Sequence, residues 1–333
     1  MAAHATTIEQ LKSQRDLRFA KTGILVALLS GMTWGLDGVI LGMALTMGPF
    51  TDASLWLLAP LSAAAMHDAA SAIVVTAVNC YTGKIKEIKR SLFSKPGKFV
   101  CLGSLLGGPI GMGGYLLALK FAGPAFVLPI TTLYPAIASL LAIVVLKEKI
   151  TKLAWCGLAM CIAGAIIIGY TPPTGGSDEF FYLGIAFAFV ATLGWGSEGV
   201  CAAYGMDLLD PAAVLNIRQL VSATTYLLVI IPAVGGYMVI SEAAWSNAGS
   251  LIVFAGVFGA ISYLMWYRAM NMTGVSRAMG MNVTYALWGI IFSAVFMDTE
   301  LTMNLVLGAI TITAGMFMVV GNPKDMINLR NVD

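Results

Sequence analysis

The chain has 333 residues, 59% of them hydrophobic and only 11% charged, with a formal net charge of +2 and a mean hydropathy of +0.85. Such a composition excludes an ordinary soluble domain and points to a protein whose main solvent is lipid. Five scattered cysteines without CxxC spacing and two histidines leave no motif for a metal centre or a disulfide framework, so no metal and no cofactor are expected.

In chain order, residues 1–21 (MAAHATTIEQLKSQRDLRFAK) carry charges and no apolar core, which excludes a cleavable signal peptide and predicts a cytoplasmic segment. A helix needs about 20 apolar residues to cross the hydrocarbon layer. Runs of that kind fall at 22–44, 55–81, 99–121, 124–146, 152–170, 181–205, 212–238, 249–271, 274–297 and 302–320. The fold class expected is an all-α integral membrane protein with ten transmembrane helices. Residues 22–170 form one five-helix unit, 171–180 an outer linker, 181–320 a second unit and 321–333 a cytoplasmic tail. Pro109, Pro129 and Pro135 should kink the third and fourth spans, and the cysteines read as small core residues.

Charge placement orients these helices. Lys12, Arg15, Arg18 and Lys21, the loop from Lys84 to Lys98, Lys147 to Lys152, Arg268, Arg277 and the tail lie on one side, while Asp52, Asp178, Glu179, Glu242, Asp298 and Glu300 lie on the other. Both termini are therefore expected in the cytoplasm. Lys120 alone falls among the outer acids.

Two phrases repeat. TWGLDGVI from Thr33 recurs as GWGSEGVC from Gly194, matching Trp34 with Trp195 and Asp37 with Glu198. Residues 151 apart also match, Gly123 with Gly274, Tyr134 with Tyr285 and Ser71 with Ser222. Five helices per unit is an odd number, so the second copy should enter the membrane inverted. Inverted repeats characterise secondary transporters, with the substrate near midplane between the halves.

These features are similar to the drug/metabolite transporter superfamily of EamA type, carried by LLALKFAGPAF from Leu116 and by LKEKIT closing the fourth span. The set SGMTWGL, HDAAS, GGPIGM, GWGSE, IRQ, SYLMWYRA and NVTYALW further resembles the bacterial choline importers that supply phosphorylcholine for surface polymers. The resemblance implies a monomeric, multi-pass carrier in the bacterial cytoplasmic (inner) membrane. It would import choline or a related quaternary ammonium cation by alternating access, driven by a coupled ion or by the potential. Its partners are then a small cation and the bilayer, with no nucleic acid. Export of amino acids or cationic drugs on the same scaffold stays open, and an amino-acid carrier would need Arg218 for the substrate carboxylate. An intramembrane enzyme lacks a catalytic constellation, and a passive scaffold leaves the repeat unexplained.

Within this frame each buried charge and aromatic has a reading. Trp34 and Trp195 lie within about 3 Å of their span centres along the axis, too deep for a headgroup belt. Asp37 and Glu198 follow them by three residues, so ring and acid share a helix face. An unpaired carboxylate there costs about 2.5 to 3.5 kcal/mol on insertion scales, which selects a function. Glu198 is expected to exchange a proton against the cation, with His67 and Asp68 as further proton-coupling groups. His67 and Asp68, about 100° apart round the helix, are not expected to meet at one spot. Arg218 is expected to be structural, pairing with Asp68 rather than Glu198, or to snorkel to the cytoplasmic surface. Aromatic faces attract a trimethylammonium group by about 0.5 to 2 kcal/mol each. Tyr263, Trp266, Tyr285 and Trp288, with Tyr115 and Tyr134 from the first half, are the box candidates, Tyr285 and Trp288 sharing one face. Trp266 and Tyr267 also fit an interfacial belt. The glycine clusters read as close-packing surfaces.

Overall fold

In hydrocarbon a backbone satisfies its polar groups most simply as a helix, and a computed structural model shows this chain doing so. It describes residues 2–145, 151–169, 180–298 and 302–320. The helices are α1 (Ala2–Leu45), α2 (Leu58–Tyr81), α3 (Ile85–Leu92), α4 (Lys95–Leu105), α5 (Gly113–Ala122), α6 (Pro124–Thr131), α7 (Tyr134–Val145) and α8 (Lys152–Gly169). There follow α9 (Phe181–Met206), α10 (Pro211–Thr225), α11 (Ile231–Val234), α12 (Tyr237–Ala244), α13 (Asn247–Thr273), α14 (Val275–Asn282), α15 (Tyr285–Phe296) and α16 (Met303–Val320).

Among the described residues seven stretches are long and apolar enough to cross a membrane: Lys21–Leu45, Leu58–Tyr81, Lys95–Ala122, Phe181–Met206, Pro211–Val234, Asn247–Thr273 and Arg277–Phe296. Three shorter apolar helices, Pro124–Ala138, Lys152–Ile167 and Met303–Gly315, fall within the spans expected at 124–146, 152–170 and 302–320. The linker at 171–179 and the tail at 321–333 lie outside the described residues. α1 runs unbroken from Ala2 to Leu45, and its stretch long and apolar enough to cross a membrane begins at Lys21. Outward faces carry Ile73, Leu193, Leu228, Val295 and Ile310, the apolar exterior that lipid requires. Cys80 and Cys156 also lie on the exterior and only Cys161 is buried, which corrects the reading of all five cysteines as core.

Local chemistry explains the helix ends and breaks. Ser94, Asp210 and Ser246 accept from the backbone N–H groups of Gly97, Ala212 and Gly249 at 3.1, 2.9 and 3.0 Å, capping α4, α10 and α13. Gly123 (φ 75°) and Gly274 (φ 85°) turn the chain from α5 into α6 and from α13 into α14, conformations that glycine adopts without a Cβ penalty. α4 and α5 join through a widened turn, Leu106–Met112, around Pro109, whose missing N–H and bulky ring oppose regular winding. The expected spans at 124–146 and 274–297 are each interrupted, between Thr131 and Tyr134 and between Asn282 and Tyr285. Pro129 and Pro135 account for the first break. The second has no proline and is bridged by Thr284, whose N–H and hydroxyl reach the Met281 carbonyl at 3.3 and 3.1 Å.

Packing crosses between the two halves of the sequence. α1 lies against α13 and α15, α9 against α4, α5 and α7, α2 against α10, and α8 against α16. The last crossing is reciprocal: Gly164 abuts the Gly308 carbonyl and Gly315 the Gly157 carbonyl, small residues admitting backbone contact. Where α2 and α10 approach the loops, Lys84 grips both carboxylate oxygens of Asp210 at 2.8 Å. Partial burial of Asp210 opposes ionisation, but Lys84 and the Ala212 N–H hold its carboxyl below the usual range.

Lys120, the basic residue out of place in the charge pattern, donates to the carbonyls of Leu45 and Phe50 at 3.2 and 2.6 Å. It thus holds the C-terminal end of α1, where carbonyls lack intrahelical partners and a cation suits the helix dipole. Replacing Lys120 by Met should lower stability by about 1 to 3 kcal/mol, read as a fall in unfolding temperature in detergent. An unchanged melt would show that this contact contributes nothing.

Candidate functional site

Trp34, Tyr134, Trp195, Tyr263, Trp266 and Tyr285, with Ser262 and Asn282, line one small cavity between the helices. Trp34 and Trp195 meet edge to face at 5.4 Å between ring centroids, while Tyr134 and Tyr285 stack at 6.4 Å with an interplanar angle of 18°. Tyr263 stands against Trp34 at 5.2 Å and against Trp266 at 6.0 Å. These rings come from α1, α7, α9, α13 and α15, so the site exists only when both halves of the chain are packed.

The helix breaks aim the tyrosines. Tyr134 and Tyr285 are the first residues after the interruptions, and each reaches across: Tyr134 Oη donates to Asn282 Oδ1 and Tyr285 Oη to Thr131 Oγ1, both at 2.9 Å. Thr131 and Asn282 are themselves 151 residues apart. Asn282 Nδ2 donates to Ser30 Oγ at 2.8 Å, and Ser30 and Ser262 exchange hydroxyl-to-carbonyl bonds at 2.9 Å. At the widened turn around Pro109 neighbours reach two backbone carbonyls: Trp195 Nε1 donates to Gly107 at 3.1 Å, and Tyr226 Oη donates at 3.2 Å to Gly108, which also accepts from the Gly113 N–H.

Behind the cavity runs a chain of buried charges. His67 Nε2 lies 3.0 Å from Asp37 Oδ1 and its Nδ1 3.1 Å from Asp68 Oδ1. Asp68 Oδ2 accepts from Ser222 Oγ at 2.5 Å and lies 3.5 Å from an Arg218 amino nitrogen. Arg218 Nε donates to Glu198 Oε1 at 2.9 Å, and a terminal nitrogen donates to Tyr263 Oη, also at 2.9 Å. Tyr267 Oη donates to Glu198 Oε1 at 2.9 Å, and Gln219 bridges Arg218 and Ser71 at 2.6 and 2.5 Å. The guanidinium also rests over the Tyr263 ring, 4.4 Å from its centroid.

This arrangement sorts the sequence-derived residues. Trp34, Trp195, Tyr263, Trp266 and Tyr285 line the cavity; Tyr115 is buried behind it, stacked on Trp34 at 5.8 Å. Asp37, His67, Asp68 and Glu198 lie in the charge chain and not among the lining side chains. Trp288 is half-buried and stacks on Phe292 at 5.9 Å, because three residues turn a helix by about 300° and leave Trp288 about 60° round from Tyr285. Four further expectations are corrected. Arg218 is fully buried and does not snorkel. Its closer partner is Glu198, not Asp68. Adjacent His67 and Asp68 do touch, because an imidazole is long enough to fold back on its neighbour. Trp266 and Tyr267 are buried and form no interfacial belt. Ser262 and Asn282 escaped the sequence reading, although both sit in the quoted motifs. Among the described residues no cluster of His, Cys, Asp and Glu could hold a metal ion.

The EamA-like transporter family matches residues 21–170 and again 182–321. The chain belongs to this family. It is a membrane transporter and not an enzyme. "Protein LicB" of Haemophilus influenzae (strain ATCC 51907 / DSM 11121 / KW20 / Rd) is 34% identical over 194 residues, which cover 57% of this chain and 63% of that relative. The match thus spans less than two thirds of the relative's length. A crystal structure with 17% sequence identity superposes at a TM-score of 0.65, over 90% of this chain and 96% of that one, which shows a shared fold.

The Arg218 and Glu198 pair gives this EamA-like transporter a measurable weak point. Gly107 packs directly on the Glu198 carboxylate, so little space remains for water to replace a lost partner. Arg218→Gln should destabilise the protein by about 3 to 5 kcal/mol, the usual cost of leaving a buried charge uncompensated. Arg218→Gln combined with Glu198→Gln should recover part of that loss. Strictly additive losses in a double-mutant cycle of unfolding free energies would deny the coupling.

Proposed function

We propose that this transporter imports choline or a related quaternary ammonium cation by alternating access through the aromatic cavity. The observation that carries the reading is the ring of six aromatic side chains around one buried space. A trimethylammonium group has no N–H to satisfy, is cheaply dehydrated and is attracted to aromatic faces. The motif resemblance to choline importers agrees with it.

In this reading the protein is a monomeric ten-helix carrier of two inverted five-helix repeats, 22–170 and 181–320, in a bacterial cytoplasmic membrane with both termini inside. Support comes from equivalent residues that meet one another: Trp34 with Trp195, Tyr134 with Tyr285, and the two reciprocal glycine contacts between α8 and α16. Contacts between twins are what a two-fold axis through the cavity would produce. The membrane potential, at about 2.3 kcal/mol per charge per 100 mV, suffices in principle to concentrate a cation. The rival, export of amino acids, is disfavoured by Arg218. It is the basic group beside the cavity, and Glu198, Gln219 and Tyr263 already occupy it.

Replacing Trp34, Trp195 or Tyr285 by Leu should weaken choline binding by about 0.5 to 2 kcal/mol each, with Phe retaining more. Trp288→Leu, outside the cavity, should leave the affinity within twofold. Calorimetry on purified protein, preceded by a thermal-shift screen of quaternary amines, zwitterions and amino acids, decides the matter. Undiminished choline binding in all three cavity variants would end this reading.

A further inference from the structure

The charge chain is a pair of twins with one difference. Trp34 and Asp37 of α1 correspond to Trp195 and Glu198 of α9, both pairs 161 residues apart. His67 and Asp68 of α2 correspond to Arg218 and Gln219 of α10, both 151 apart. Each acid meets the base of its own half in the same way, His67 Nε2 to Asp37 at 3.0 Å and Arg218 Nε to Glu198 at 2.9 Å. Reciprocal bonds then join the halves, Ser222 to Asp68 and Gln219 to Ser71. An arginine keeps its proton in proteins, whereas a histidine exchanges one near neutral pH. The second half therefore holds a permanent cation where the first holds a titratable base.

With both neighbouring acids ionised, the hydrogen bonding of His67 suits one form of the ring. Both ring nitrogens face carboxylate oxygens, at 3.0 and 3.1 Å, with His67, Asp37 and Asp68 all buried. A neutral imidazole has one N–H and one lone pair, so it would set that lone pair against an ionised acid. The groups facing this ring or its partners are Asp37 of α1, Asp68 on α2, Arg218 of α10, Glu198 of α9 beyond it, Tyr263 of α13, Tyr115 of α5 and Tyr226 just after α10. Gly259 of α13 closes over the pair, since a Cβ there would stand 2.7 Å from His67 Nε2 and 3.3 Å from Asp37 Oδ1. The second oxygen of Asp37 is buried without a partner, which leaves the first-half pair open at one end while Glu198 is held by Arg218 and Tyr267.

We propose that the proton-linked site of this transporter is confined to the first half, an imidazolium at His67 clamped between Asp37 and Asp68, with the permanently charged Arg218 in the twin position. The proposal rests on the cation reading above for its linkage. With His67 protonated the five groups sum to one negative charge, and a substrate cation in the adjacent cavity repels the imidazolium. Cation binding thus favours loss of the His67 proton to water, and by reciprocity cation affinity rises with pH.

The chain has only two histidines, so nitrogen NMR of histidine-labelled protein, with His4→Gln to assign the signals, reads His67 directly. In empty protein at pH 7 both ring nitrogens should carry protons, and saturating choline should shift the ring toward neutral. Choline Kd should fall at least threefold from pH 6 to pH 9 in the wild type and in Glu198→Gln, and stay flat in His67→Arg. Where His67→Arg does not fold, His67→Gln provides the same comparison. A neutral ring in the empty protein at pH 7, or an undiminished pH dependence after substitution of His67, would overturn the proposal. Failure of the wild type to bind choline at any pH counts instead against the substrate, and the spectra of the empty protein still decide where the proton lies.

Discussion

Five ionisable groups buried in an apolar interior must neutralise one another, and much of this structure follows from that constraint. Desolvating a charge costs several kcal/mol even after relaxation, and only a well-aligned partner offsets it. Asp37, His67, Asp68, Arg218 and Glu198 answer by forming one connected line through α1, α2, α10 and α9. Helices tied in this way cannot slide or rotate freely past each other. The glycines beside the line serve the same end. Gly107 and Gly108 lie directly on Glu198 and Ser222, and any side chain there would separate the partners.

The aromatic cavity inherits its shape from this line. Tyr263 belongs to both: it lines the cavity, its hydroxyl accepts from Arg218 and its ring carries the guanidinium. Trp195 is held by the Gly107 carbonyl, and that glycine also packs on Glu198. A change in the charge line therefore reaches the cavity through one shared side chain and one shared backbone segment. Such coupling is what alternating access requires of a carrier, because substrate and conformation must each bias the other.

Much of this was legible in the sequence, and what was not has definite physical causes. Periodic spacing of apolar runs reveals helices, and the internal match of Trp34 with Trp195 and Tyr134 with Tyr285 singles out residues that do meet in space. Pairing of charges was not legible. Arg218 has acids on three other helices within reach in principle, and choosing Glu198 over Asp68 depends on rotations of α9 and α10 that no spacing encodes. Trp288 was misplaced for a related reason. An interval of three residues guarantees nearness along the helix, but the line between cavity and lipid can fall between the two rings. Ser262 and Asn282 carry no signal of their own, since small polar residues in membrane helices are commonly packing elements. Their role emerges only when Tyr134 and Ser30 arrive from elsewhere in the chain.

The polar rim of the cavity also bears on which cations suit it. Asn282 accepts from Tyr134 and donates to Ser30, while Ser262 donates to the Ser30 carbonyl. The hydrogen-bonding capacity nearest the aromatic rings is thus largely committed within the protein. A primary ammonium group entering this space would leave hydration behind and need an acceptor for each of its N–H donors, and any bond left unmade in a buried site costs about 1 to 3 kcal/mol or more. A quaternary ammonium group has no donors to leave unsatisfied and spreads its charge over methyl groups that rest well on ring faces. On the choline reading proposed above, the rim that fixes Tyr134 and Tyr285 in place holds ring faces ready for methyl groups, and a preference for a fully methylated cation would come from those faces and from the cation's own lack of donors.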